Sequence, residues 1–190
     1  MTKGRDSGMP AAEQWESYFD AAGIVDALGG RRITGDAIEF GCGYGTFTIP
    51  TAQRVSGTVY ALDIDPAMVA ATSARVAEAG LKNVVVEQRD FVNDGSGREP
   101  HSACFALLFN ILHIEDPVPL LKEAHRVLRS DGLVAIIHWN YDAGTPRGPP
   151  LDIRPRPEQC RMWAEEAGFT WRRDQNLPGC PWHWGMVLGR

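Results

Sequence analysis

The sequence has none of the long apolar segments that mark a membrane or exported protein. No apolar run approaches the roughly 18 residues needed to span a bilayer, and residues 1–8 are polar. Basic side chains are not in excess either, because the formal net charge is −5, so nothing favours binding to nucleic acid or to an anionic membrane. We therefore expect a cytoplasmic protein without a nucleic-acid or membrane partner.

Cysteine is scarce and irregularly spaced. The four cysteines are Cys42, Cys104, Cys160 and Cys180, and no two of them form a C-x-x-C pair. This spacing is not that of a zinc site, and in a chain without a secretory signal we expect reduced thiols. The sequence thus predicts neither a metal site nor a disulfide framework.

Short apolar segments alternate with helix-like segments through the middle of the chain. Continuous apolar strands are typical of a parallel sheet that helices cover on both sides. The five strands predicted in this region are Ala37–Cys42, Thr58–Ile64, Asn83–Glu87, Ala103–Ile111 and Leu133–Trp139. Asp65-Pro66 and Asp116-Pro117 are typical starts for the helices between them. The pattern predicts an α/β fold.

The flanking regions have a different character. An amphipathic N-terminal helix is predicted over residues 11–30, and five prolines between Pro146 and Pro157 predict an extended loop over residues 140–157. Two further strands, Phe169–Arg173 and Trp184–Leu188, are predicted to form a closing pair. The 190 residues suit one domain spanning 1–190, in which we expect residues 1–10 to be flexible.

The segment Glu39-Phe40-Gly41-Cys42-Gly43-Tyr44-Gly45 carries the strongest functional signal. It follows a buried-type strand and precedes a helix, which is where open α/β sheets bind their ligands. A dinucleotide fingerprint would be G-x-G-x-x-G, but its third glycine position is Thr46 here. The G-x-G-x-G spacing with a preceding acid favours a ligand with a cationic, amino-acid-like end, and Glu39 would face the positive group.

Two more acids follow the next strands. Asp63 ends the second strand, where a carboxylate can accept the ribose hydroxyls of any nucleoside cofactor. This contact alone does not separate a dinucleotide from other nucleosides. Asp90 follows the third strand and is placed to meet an adenine edge, although it could also be a plain turn residue.

Five segments together resemble the successive motifs of class I S-adenosylmethionine-dependent methyltransferases. They are Glu39–Gly45, Val59–Asp65, Gln88–Phe91, Phe109–His113 and Arg126–Gly132. The resemblance covers about Ala11 to Trp139. It implies a Rossmann-like, seven-stranded, mostly parallel sheet with helices on both faces and an antiparallel last strand. One departure is Phe105-Ala106, where the family often has Phe-Asp.

The resemblance also implies roles for individual residues. Glu39, Gly41, Gly43 and Gly45 would surround the methionine portion of S-adenosylmethionine, and Asn110 would lie beside its sulfonium. Asp63 and its neighbour Ile64 would bind the ribose region, and Asp90 with Phe91 would lie near the adenine. The N-terminal helix and the loop after the fifth strand would cover the site.

The implied function is methyl transfer from S-adenosylmethionine to a small-molecule acceptor by in-line displacement. Two alternatives remain open at this point: a non-catalytic S-adenosylmethionine-binding protein, and an NAD-dependent oxidoreductase, against which the missing third glycine counts. The acceptor, the acceptor atom and the oligomeric state do not follow from the sequence.

His113 is the candidate general base, because it follows Asn110 closely and a neutral imidazole can take a proton from a hydroxyl nucleophile. His138 lies in an apolar strand and is predicted to be a core residue. The seven arginines after Tyr141 could indicate an anionic substrate. Six acids share that stretch, however, so a solvated surface is the favoured interpretation.

Overall fold

The computed structural model describes residues 8–190, which form six helices and seven strands. The helices are α1 (Ala12–Glu16), α2 (Ala21–Gly29), α3 (Thr48–Ala52), α4 (Pro66–Glu78), α5 (Pro117–Val127) and α6 (Pro157–Glu166). The strands are β1 (Asp36–Phe40), β2 (Val59–Asp63), β3 (Val84–Gln88), β4 (Ala103–Phe109), β5 (Leu128–Trp139), β6 (Thr170–Gln175) and β7 (His183–Gly189). Among these described helices, none is long and apolar enough to cross a bilayer.

All seven strands belong to one sheet, in the order β3-β2-β1-β4-β5-β7-β6. Strands β1 to β5 pair in parallel, whereas β7 runs antiparallel to both β5 and β6. The predicted Rossmann-like sheet with an antiparallel last strand is therefore confirmed. Its strand order reverses between β1 and β4, which is the point where ligands bind in sheets of this kind.

Both faces of the central strands are buried, as their apolar sequences predict, whereas the edge strands β3 and β6 are partly exposed. Val134 and Ile136 of β5 join a core on one face with α5 and α6, whereas Ala135 and Ile137 join a second core on the other face with α2. This alternation follows from the two-residue period of a strand. Because the sheet is covered on both sides, the polar ends of its parallel strands form the accessible edge at which a ligand can bind.

The N-terminal region is not the single helix predicted over residues 11–30. Helix α1 ends at Glu16, and α2 begins after Asp20, whose side-chain oxygen accepts a hydrogen bond from the backbone N–H of Gly23. A carboxylate that caps the second helix in this way starts a new helix instead of continuing the first. Helix α2 packs into the core, and Phe19 in the break contacts Phe47 edge-to-face.

Residues 1–10 were predicted to be flexible, and residues 1–7 of this segment lie outside the described residues. Residues 8–10 are described and are bonded to other parts of the chain. The Tyr44 hydroxyl donates to the carbonyl of Pro10, and Arg147 Nη2 donates to the carbonyl of Gly8. These bonds place residues 8–10 beside the glycine-rich loop and Arg147.

The proline-rich loop between β5 and α6 is held from inside by one arginine. The guanidinium of Arg154 donates to the carbonyl oxygens of Asn140, Asp142 and Pro149 and to the Thr145 hydroxyl, over distances of 2.7–3.0 Å. Only 7% of Arg154 is exposed. The prediction that the arginines after Tyr141 belong to a solvated surface is therefore wrong for this residue. Arg154 gives an irregular segment a defined shape.

Replacing Arg154 by Met should destabilise the protein by at least about 2 kcal/mol, because several buried carbonyls would lose their donor. Urea unfolding measures the change, and limited proteolysis should show faster cleavage within 140–156. Arg161→Met is the matched control, since Arg161 is about half exposed, pairs with Glu165 on the same helix and lies over the Trp171 ring. The control should change stability by about 1 kcal/mol or less. Equal effects of the two substitutions would contradict this account.

Candidate functional site

A cavity of about 780 Å³ lies at the carboxyl ends of the parallel strands. Its volume is within the range of about 300–1,000 Å³ that is typical of small-molecule sites. Side chains at or just after the ends of β1, β2, β3, β4 and β5 all reach it, as the sheet order requires. The cavity is the candidate active site.

The structure brings nine of the ten residues predicted from sequence to the wall of this cavity. They are Glu39, Gly41, Gly43, Asp63, Ile64, Asp90, Phe91, Asn110 and His113. The exception is Gly45, which does not line the cavity. A Cβ at Gly45 would lie 3.1 Å from side-chain atoms of Thr72 on α4, and its φ is +76°. Gly45 therefore allows a turn and close packing against α4.

The backbone N–H groups of the glycine-rich loop are bonded within the protein. Those of Gly41 and Cys42 donate to the carbonyl of Leu62, and that of Gly43 donates to Asp63 Oδ2 at 2.9 Å. A diphosphate site needs such N–H groups for the ligand. This loop instead holds a carboxylate, whose charge repels a diphosphate.

Asp63 is fixed by two backbone amides. Its Oδ2 accepts from Gly43 N, and its Oδ1 accepts from Asp65 N at 2.9 Å. Only 9% of Asp63 is exposed. The amides orient the carboxylate towards the cavity, and each carboxylate oxygen can accept more than one hydrogen bond.

Glu39 is the most deeply buried acid of the site. It is 3% exposed, and its Oε2 accepts a hydrogen bond from the Thr48 hydroxyl. Burial, opposed by the Thr48 hydrogen bond and assisted by the Asp63 charge, raises the pKa of Glu39 to about 8. A cation in the cavity would favour the ionised carboxylate. Glu39 is therefore suited to a positively charged group.

Asp90 is a turn residue that also lines the cavity. Its carboxylate accepts from the backbone N–H and the side-chain amide of Asn93, which closes a turn after β3, and the residue also lines the cavity. Phe91 contacts Phe40 edge-to-face and forms an apolar wall beside it. Together Asp90 and Phe91 give this part of the cavity a polar acceptor and an apolar surface.

Asn110 has a strained backbone, and its side chain lacks a hydrogen-bond partner among the described residues. Its φ is +56°, and both its side-chain oxygen and nitrogen are buried without a partner in the described part of the chain. The buried hydroxyl of Thr46, which also lines the cavity, has no such partner either. Buried polar atoms normally find partners, so both groups indicate a polar ligand. Sequence analysis missed Thr46, since it weighed that position only as an absent glycine.

His113 is paired with a second buried histidine. His138 Nε2 lies 3.4 Å from His113 Nδ1. His138 is fully buried, as predicted for a core residue, and burial together with the charges of neighbouring His113, His183 and Arg154 holds its pKa well below its usual value. His138 is therefore a neutral hydrogen-bonding partner for His113 at neutral pH.

Further cavity residues come from the N-terminal region, the end of β5 and the loop after β5. They include Met9, Trp15, Trp139, Arg147 and Pro149. Sequence analysis expected the N-terminal helix and the loop after the fifth strand to cover the site, but only the folded path of the chain identifies Met9, Arg147 and Pro149. Their position over the polar strand ends divides the cavity into a polar floor and a partly apolar cover.

Comparisons with known proteins agree with this geometry. The sequence model of a methyltransferase domain matches residues 37–132, which is half of the chain. Nocamycin O-methyltransferase from Saccharothrix syringae is 33% identical over 132 residues, which cover 60% of this chain and 47% of that protein. The chain thus spans about half the length of this curated relative.

Two solved structures share the fold. A SAM-dependent methyltransferase from Aquifex aeolicus has a TM-score of 0.79 at 23% identity, with 90% of each chain covered. A putative type 11 methyltransferase from Sulfolobus solfataricus has a TM-score of 0.66 at 26% identity, with 83% of this chain and 85% of that chain covered.

The matched domain contains the glycine-rich loop, Asp63, Asp90, Asn110 and His113, all of which the resemblance had indicated. The seven-stranded sheet with its reversed last strand agrees with the same assignment. The chain belongs to the class I S-adenosylmethionine-dependent methyltransferases.

Proposed function

We propose that this protein transfers a methyl group from S-adenosylmethionine to a small-molecule acceptor by in-line displacement. The observation that carries the proposal is the use of the glycine-rich loop to hold Asp63, next to the buried Glu39. Two carboxylates beside internally bonded amides favour a cationic nucleoside over a diphosphate. This arrangement argues against the NAD-dependent alternative.

The residues present fit S-adenosylmethionine. Glu39 would bind its ammonium group, Asp63 beside Ile64 its ribose hydroxyls, and Asp90 with Phe91 its adenine. Gly41 and Gly43 would leave room for the methionine portion. The unpartnered amide of Asn110 would hydrogen-bond in the reacting region.

When bound, the cofactor supplies a methyl group on a positively charged sulfur, which is already a good leaving group. The protein's task is then to align the acceptor and exclude water. Alignment of two reactants can lower a barrier by about 7–11 kcal/mol in favourable cases. Met9, Trp15 and Trp139 cover the cavity and would exclude water.

An oxygen atom is the acceptor we favour, since the curated relative is an O-methyltransferase. His113 would be the general base for a hydroxyl group. Because neutral His138 can accept the Nδ1 proton of His113 through its Nε2, the lone pair of His113 would lie on Nε2. The base is needed only for a hydroxyl that is not already ionised.

The first test compares S-adenosylhomocysteine with NAD in calorimetric titrations. The wild-type protein should bind the former and not the latter. Asp63→Asn should weaken S-adenosylhomocysteine binding by roughly tenfold to a hundredfold, since hydrogen bonds to a charged group contribute about 1.5–3 kcal/mol. Asp131→Asn is the control, because the Asp131 side chain is 80% exposed and should not affect binding. Binding of NAD alone would refute the proposal, and an unchanged dissociation constant in Asp63→Asn would refute the ribose assignment.

The raised pKa of Glu39 predicts opposite effects on binding and on stability. S-adenosylhomocysteine should bind the wild-type protein more tightly as pH rises from 6 to 8, because its ammonium group favours the ionised carboxylate. In Glu39→Gln, binding should be weaker at pH 8 and nearly independent of pH. Titrations at pH 6, 7 and 8 measure the difference.

The same group affects the free energy of unfolding without ligand. A folded-state pKa of about 8 for Glu39 exceeds the unfolded value near 4.3, so its stabilising contribution is complete below pH 4.3 and decreases as pH rises to 8. The melting temperature of Glu39→Gln relative to the wild type should therefore increase between pH 5 and pH 8. Parallel pH profiles of the two proteins would contradict this explanation. Glu165→Gln, on the exposed face of α6, should follow the wild-type profile.

His113→Gln should slow methylation of a hydroxyl acceptor by about a hundredfold or more, since general base catalysis typically contributes a factor of about 10²–10⁴. The acceptor would be found by screening a metabolite panel for release of S-adenosylhomocysteine. The variant should also lose the fall in rate at acid pH while keeping its affinity for S-adenosylhomocysteine. His125→Gln is the control, because His125 does not line the cavity. Full activity of His113→Gln would exclude His113 as the base.

A further inference from the structure

The charges around the cavity are unevenly distributed. Six carboxylates line it, those of Glu39, Asp63, Asp65, Asp90, Glu115 and Asp116. Among the described lining residues, Arg147 is the only lysine or arginine. An anionic ligand group would be repelled from most of the wall, so Arg147 marks the position at which such a group is favoured.

The guanidinium of Arg147 is largely available for a ligand. Its Nη2 donates to the carbonyl of Gly8 at 3.1 Å, and within residues 8–190 no carboxylate forms an ion pair with it. A guanidinium carries five N–H donors in a planar fork that matches the two oxygens of a carboxylate. Most of these donors remain for a ligand in the cavity.

The backbone of Arg147 is held in place by the loop that carries it. The Thr145 hydroxyl donates to the Arg147 carbonyl at 2.8 Å, and buried Arg154 Nη1 donates to that same hydroxyl at 2.7 Å. Pro149, two residues further on, also accepts from Arg154 and lines the cavity. Arg147 is thus presented from an ordered segment, which reduces the entropy cost of binding a ligand.

The sheet order indicates which reactant Arg147 meets. Glu39 and Asp63 lie at the ends of β1 and β2, and Asp90 follows β3, on one side of the point where the strand order reverses. The loop of Arg147 follows β5, on the other side, beyond Asn110 at the end of β4. Glu39, Asp63 and Asp90 therefore define the cofactor half of the cavity. Arg147 belongs to the opposite half, to which the loop after β4 also contributes Glu115 and Asp116.

We propose that Arg147 binds a carboxylate of the methyl acceptor, so that the acceptor is an organic acid with a separate nucleophilic atom. This inference rests on the proposed methyl transfer, because it assumes that S-adenosylmethionine occupies the cofactor half of the cavity. The acceptor's carboxylate pairs with Arg147, and the three acids of the cofactor half repel it from that half. The acceptor is thereby turned so that its other end faces Asn110 and His113.

The experiment uses the wild-type protein saturated with S-adenosylhomocysteine. Its tryptophan fluorescence, to which Trp15 and Trp139 in the cavity wall contribute, is followed during titration with carboxylates and their neutral carboxamides. The probe pairs are benzoate and benzamide, 3-hydroxybenzoate and 3-hydroxybenzamide, and 3-phenylpropanoate and 3-phenylpropanamide. At least one carboxylate should bind about tenfold more tightly than its carboxamide, as expected for charge-assisted hydrogen bonds.

Variants assign that preference to Arg147. Arg147→Gln should abolish it, Arg147→Lys should retain part of it, and Arg161→Gln should leave it intact, since Arg161 is about half exposed and does not line the cavity. The affinity for S-adenosylhomocysteine should stay within about twofold in all three variants, a difference well below the tenfold effect expected at the site.

Three results would overturn the inference. They are equal binding of carboxylates and carboxamides by the wild type, a preference that survives in Arg147→Gln, and a loss of S-adenosylhomocysteine affinity in Arg147→Gln. The last would show that the arginine holds the cofactor's own carboxylate. Failure of the wild type to bind S-adenosylhomocysteine would be a separate outcome, which refutes the proposed function and the inference with it.

Discussion

The hydrogen bond from the Gly43 N–H to the Asp63 carboxylate connects the loop after β1 to the end of β2. Gly43 has a φ of +53°, and a Cβ there would lie 3.3 Å from Met9 Cε, so the loop depends on glycine at this position. The bond holds the Asp63 carboxylate on the floor of the cavity. The negative charge of Asp63 helps to raise the pKa of nearby Glu39. Loop shape, acid placement and preference for a cationic ligand thus share one origin.

Much of this arrangement could be predicted because its causes are local. Short apolar strands, three of which have an acid or a glycine at or near the end, determine both the parallel sheet and the edge at which Glu39, Asp63 and Asp90 meet. The chemical character of that edge follows from residue type and strand position alone. These features need no knowledge of how distant parts of the chain pack.

Other features depend on contacts between distant residues and could not be predicted. Gly45 looked equivalent to the two glycines before it, yet its neighbour is Thr72 on α4 and not the cavity. Arg154 looked like one charge among many, since the sequence does not show that the carbonyls of 140–149 surround it. The break between α1 and α2, by contrast, has a local cause, the helix cap at Asp20. The apolar residues on both sides of Asp20 suggested one continuous helix, so the break was not predicted.

The contacts of Arg154 let the side chains of its loop vary independently of the residues at the ends of the strands. Its partners are mainly backbone carbonyls, which every amino acid supplies, so most side chains between Asn140 and Pro149 can change without loss of the anchor. New side chains in that stretch would alter the wall that faces the incoming molecule, while the nucleoside-binding floor stays as it is. Substitutions in this stretch could therefore change which molecules the cavity admits while the buried Arg154 guanidinium keeps the path of the loop.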